Sequence, residues 1–156
     1  MSDYSLRYPG KRWKIVYGKY NGAEKFAIAE LQRLIQSYVP YVVEVVAADV
    51  WQPSGEENCV AVGTADGNAL IRRCIGAEWI EAPARAESFA YRWGESPFSP
   101  AQRLAVIAGA DSKGVLNGVA DFGASVVGRQ CAPLTASRLP AALDGLAPLA
   151  YEGQPA

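Results

Sequence analysis

The sequence contains no histidine. That absence removes the Ser-His-Asp and Cys-His nucleophile systems, and with them histidine-ligated zinc, iron and copper sites. Cysteine is scarce. Cys59, Cys74 and Cys131 are odd in number and widely spaced, and no two form a CxxC pair. Neither a disulfide framework nor a thiolate metal site is indicated, and reduced, mostly buried thiols are expected. Charge of either sign is in short supply as well: 15 Lys and Arg against 16 Asp and Glu give a net charge of −1. No basic stripe or acidic block stands out, so neither nucleic acid nor a membrane surface is expected as a partner. No apolar run approaches the roughly 20 residues of a membrane span, and the N-terminal MSDYSLRYPGKRW has no apolar signal-peptide core. As written the chain reads as cytoplasmic, or as secreted if a signal has been removed from it.

What is present fits one soluble α/β domain. The 156 residues are 50% hydrophobic and 20% charged, enough apolar side chains for a real core. Trp13–Tyr17 (WKIVY) is β-branched and aromatic between glycines and reads as a strand. Asn21–Tyr38 places Ile28, Leu31, Ile35 and Tyr38 at helical spacing and stops before Pro40. Tyr41–Ala47 reads as a second strand, Trp51–Asn58 as a loop, and Cys59–Val62 as a short strand buried on both faces. Asn68–Ile75 reads as a short helix and Ser88–Trp93 as a more exposed strand, because it alternates apolar and polar residues. Leu104–Ala108 is a buried strand and Lys113–Val127 a helix. The order β-α-β-β-α-β-β-α predicts an α/β (α+β) domain, a mixed sheet of about five strands packed against two or three helices. Residues 1–129 form this domain. Residues 130–156 carry four prolines and scattered leucines and read as an extension that lies on something.

Two strand-to-helix turns carry the candidate site. Val62–Asn68 (VGTADGN) and Ile107–Gly114 (IAGADSKG) each put a glycine at the strand end and an Asp near the helix start. Thr64, Asp66, Asp111 and Ser112 are candidate ligand-binding residues, because the first N–H groups of a helix form an anion site. Capping is the competing role for the same side chains. Neither turn matches GxGxxG or GxxxxGK[ST], and no cofactor or metal is indicated. In the helix Lys113–Val127, Gly114 and Gly118 lie one turn apart. Each costs about 1 kcal/mol relative to alanine, which implies close approach of the helix to the sheet. Trp51 and Trp93 border loops and are candidate sugar-stacking residues. No Asp or Glu pair suggests the two carboxyls of glycoside hydrolysis.

The pair CVAVGTADGNALIRRC and RLAVIAGADSKGVLNGVADF resembles the non-catalytic N-terminal α/β domain of glycoside hydrolases. In that group are the hexosaminidases, with their chitobiase-like second domain, and the alpha-glucuronidases. The resemblance spans about residues 13–127. It implies a hexosaminidase domain-2-like fold and an accessory role without catalytic residues. It also implies a downstream catalytic barrel on the same polypeptide as partner, with carbohydrate as that barrel's substrate. The residues themselves leave two alternatives open: a stand-alone domain binding a small ligand or anion, and a small enzyme using Asp or Glu with Lys or Tyr.

Overall fold

The computed structural model describes residues 12–37, 39, 41–50, 57–99, 102–127 and 149–153. Six strands form one sheet: β1 (Arg12–Tyr17), β2 (Glu44–Ala47), β3 (Glu57–Thr64), β4 (Phe89–Glu95), β5 (Arg103–Gly109) and β6 (Leu149–Gly153). Their order is β2-β1-β3-β5-β4-β6. β1 runs parallel to β2 and to β3, and β3 parallel to β5, whereas β4 pairs antiparallel with both β5 and β6. The expected mixed α/β sheet is therefore present. Its sixth strand comes from the Pro- and Leu-rich stretch that the sequence marks only by composition.

Alternation along the central strands divides the core in two. Ile15, Val60, Val62, Ala105 and Ile107 face one side and meet α1 (Gly22–Gln36) and α3 (Ser112–Asp121). Val16, Cys59, Ala61, Leu104, Val106 and Ala108 face the other side and meet Leu70, Ile71 and Cys74 of α2 (Ala69–Gly76). Strands buried on both faces read as continuous apolar runs, which accounts for CVAV and RLAVIA. On α1 the buried residues are Glu24, Ala27, Ile28, Leu31 and Ile35, one stripe at helical spacing.

Three expectations about elements change. β4 is not an exposed strand: Phe89, Ala90, Tyr91 and Trp93 are all buried, because α3 covers one face and β6 takes the outer edge. The second strand starts at Glu44 and not at Tyr41. Tyr41 instead turns inward, its hydroxyl accepting from the Trp13 amide at 2.5 Å. The last helix is not one α-helix, since a π-helical segment, Phe122–Val127, follows α3. Phe122 there is fully buried and stacks on Trp93, with ring centroids 5.6 Å apart. Cys59 and Cys74 are buried thiols as expected, and burial pushes the Cys74 thiol up to about 12, which keeps it unreactive.

The glycines of α3 do what their spacing implies. A Cβ on Gly114 would stand 2.2 Å from the Ser88 carbonyl oxygen, and one on Gly118 would stand 3.0 Å from both Ile107 Cγ2 and Phe89 Cβ. α3 therefore rides directly on β4 and β5. Gly118→Leu should overpack this contact and cost about 1–3 kcal/mol. Urea denaturation of the variant, read as a fall in midpoint, checks it.

Candidate functional site

α1 leaves β1 toward one face of the sheet, and α2 leaves the neighbouring β3 toward the other. The crevice beyond the carboxyl ends of β1 and β3 is thus the switch point at which open α/β sheets receive ligands. Three turns converge on this edge, those following β1, β3 and β5.

The crevice is occupied by the chain itself. Asn68, fully buried, caps α2 and bridges the two strands at once. Its Nδ2 donates to the Val16 carbonyl at 3.1 Å and to the Val62 carbonyl at 3.0 Å. Its Oδ1 accepts from the amides of Leu70 at 2.9 Å and Ile71 at 3.3 Å. Both amide protons and both lone pairs are therefore used. Above it the turns touch backbone to backbone: a Cβ on Gly18 would lie 2.1 Å from the Gly67 carbonyl oxygen and 2.8 Å from Asn68 Cα. Only glycine fits there.

The candidate ligand residues serve the same closure. Thr64 Oγ1 accepts from the Gly67 amide at 3.1 Å, and the Thr64 carbonyl accepts from the Asn68 amide at 2.9 Å. Asp66 is exposed. Its carbonyl, with that of Ala65, accepts from the Arg72 guanidinium. Asp111 caps α3, its Oδ1 accepting from the Gly114 amide at 2.8 Å and its Oδ2 from the Glu87 amide at 3.0 Å. The backbone N–H groups of Gly114 and then Glu87 hold its carboxyl below the usual carboxylate range. Trp93 offers no face to a sugar, being 1% exposed and stacked on Trp13 with centroids 4.5 Å apart. Its loop-border position in sequence is overridden by the rings of Trp13 and Phe122, which stack on it. Trp51 lies outside the described residues.

One functional group was not marked by the turn motifs. Ser112 Oγ donates to Glu24 Oε2 at 2.7 Å, joining the first turns of α3 and α1 across 88 residues of sequence. Glu24 is 1% exposed, and its Oε1 is buried without a hydrogen-bond partner. A Cβ on Gly63, whose φ is +146°, would stand 3.6 Å from that oxygen. The signal in the sequence was positional: counting back one turn from Ile28 along the apolar stripe lands on Glu24. Among the described residues no group of three or more His, Cys, Asp or Glu side chains could hold a metal ion.

Compared with known proteins, the chain matches no family model and no curated sequence. The arrangement is then to be judged on its own chemistry, which is that of closure: donors at the two later helix starts are met by side chains of the same turn.

Two measurements check this reading. Asn68→Asp keeps the cap acceptor but loses two hydrogen bonds, those to the Val16 and Val62 carbonyls, at about 0.5–1.5 kcal/mol each, and buries a carboxylate beside them. A guanidinium unfolding curve should show a loss well beyond the roughly 1 kcal/mol of a cap alone. For Asp111 the folded carboxyl is depressed from its ordinary 3.8. Its contribution is therefore present above the unfolded value and is lost as pH falls through the lower folded one. Stability measured below pH 3.8 should fall less steeply for Asp111→Asn than for wild type.

Proposed function

We propose that this chain is a non-catalytic accessory domain that braces a neighbouring catalytic domain, and that the larger protein is a carbohydrate-active glycoside hydrolase. The closed switch point carries the reading: the place where such a sheet would take a ligand is filled by Asn68 and sealed by the Gly18–Gly67 contact. The glycine-lined seat of α3 on β4 and β5 supports it, since those residues are given to rigidity and not to chemistry. The hydrolase context comes from the resemblance of the two βα segments. Hydrolysis itself would fall to two carboxyls about 5–10 Å apart on the neighbouring domain.

A second reading, a domain that binds a small polar ligand, is favoured by Glu24. Its unpartnered Oε1 is an acceptor awaiting a donor, and a sugar hydroxyl or an ammonium group has the matching chemistry. Anions fit less well, because the amides of Gly67 and Gly114 are already bonded.

One screen separates the readings. Melting temperature is measured with sugars, sugar acids, nucleotides and phosphate, and the reading frame is followed past Ala156. The accessory role expects no rise in melting temperature and a continuing barrel-sized region with an acid pair. A rise with a sugar that Glu24→Gln abolishes establishes the second reading instead. Glycosidase turnover by the 156-residue chain, lost on changing one Asp or Glu, overturns both.

A further inference from the structure

The sequence holds two identical Asn-Gly dipeptides, Asn21–Gly22 and Asn117–Gly118, and the fold treats them in opposite ways. Asn-Gly is the pair in which a backbone amide can most readily attack the preceding side chain, because glycine puts no Cβ in the way. Whether it does so depends on three conditions. The attacking nitrogen must be free of a hydrogen bond, the Asn side chain must be untethered, and the backbone must be able to turn.

Asn21 meets them. It is exposed and extended at the N-cap of α1, with φ −152° and ψ 162°, and its side chain makes no capping bond. Gly22 is exposed, has φ +54°, and would meet nothing within 4 Å of an added Cβ. As the first residue of α1 its N–H has no intrahelical acceptor. The Lys25 amide donating to the Asn21 carbonyl at 3.1 Å is the helical bond that restrains the pair. It is the first bond of the helix and so the first to fray.

Asn117 fails all three. It lies inside α3, where the Gly118 amide is committed to a carbonyl one turn back. Its Nδ2 donates to the Glu87 carbonyl at 3.1 Å. Gly118 is buried against Ile107 and Phe89. The related Asp66–Gly67 pair is held too, its Gly67 amide donating to Thr64 Oγ1.

We propose that Asn21 is a site of spontaneous deamidation in the folded protein and that Asn117 is not. Gly22 N, losing its proton to hydroxide, attacks Asn21 Cγ. The new Cγ–N bond forms as the Cγ–Nδ2 bond breaks, and ammonia leaves with a proton from water, regenerating hydroxide. Water then opens the cyclic imide. Opening at Cγ gives aspartate, and opening at the backbone carbonyl gives isoaspartate with the chain rerouted through Cβ. Aspartate at this position supplies α1 with the cap and the negative charge that Asn21 leaves unprovided. Isoaspartate adds a methylene to the main chain three residues before Glu24.

The test is peptide mass mapping of the full 156-residue protein, incubated folded at mildly alkaline pH and, in parallel, in concentrated urea. Folded protein should gain the mass of an NH-to-O exchange at Asn21, as a mixture of aspartate and isoaspartate, with no gain at Asn117. Urea should bring conversion at Asn117 up to that at Asn21. An Asn21 peptide in the folded protein that converts no faster than the Asn117 peptide overturns the proposal.

Discussion

The amide of Asn68 is the tie on which the carboxyl edge of the sheet depends. Parallel neighbours β1 and β3 end side by side, and the carbonyls of Val16 and Val62 both lie within reach of this one side chain. One planar amide answers both and, with its oxygen, also starts α2. A hydrogen bond of this kind contributes about 0.5–1.5 kcal/mol net, and this residue makes four of them. Its position then sets the turns. Gly18 can approach the Gly67 carbonyl this closely only because Gly18 carries no side chain, and the contact lies where α1 and α2 depart to opposite faces.

A second tie acts at the same edge on the face of α1 and α3. Glu24 is buried at the start of α1 and receives the Ser112 hydroxyl from the start of α3. Burying a carboxylate is costly unless it is paired or bonded. Here the positive ends of two helices and one hydroxyl offset the cost, and one oxygen is left unanswered. The edge is therefore closed at Asn68 and incompletely satisfied at Glu24, which is why the accessory and ligand-binding readings both have a physical basis and the first has more of it.

Much of the fold was legible locally. WKIVY, CVAV and RLAVI carry the β-branched and apolar runs of strands covered on both sides, and the stripe through Ile28, Leu31 and Ile35 declares α1. Gly114 and Gly118 announced a close helix–sheet contact by their cost alone. The alternation in SFAYRW, however, pointed to an exposed strand. It supported a mixed sheet for the wrong reason: β4 is antiparallel, yet it is buried, because β6 and α3 cover it. Nothing near residue 90 encodes β6, whose Leu149 pairs with Trp93 from 56 positions later. Trp93 was misplaced by other long-range contacts, the rings of Trp13 and Phe122. At the candidate site, Asp111 was recognisable as a capping residue from its place before a helix, whereas Thr64 holds the Gly67 amide within the turn and the cap of α2 is Asn68. Asn68, the most connected side chain of the site, was visible only as a helix start.

Sequence by itself determined the α/β class, the periodicity of the helices, the missing histidine chemistry and the turns that need glycine. These follow from local sterics and from which side chains avoid water. Only the tertiary structure decided which face each helix covers, that Asn68 spans 52 residues to reach Val16, that Glu24 is a core residue, and which of two identical Asn-Gly pairs lies open. Those outcomes rest on distances between groups far apart along the chain, and chain order does not specify such distances until the core has packed.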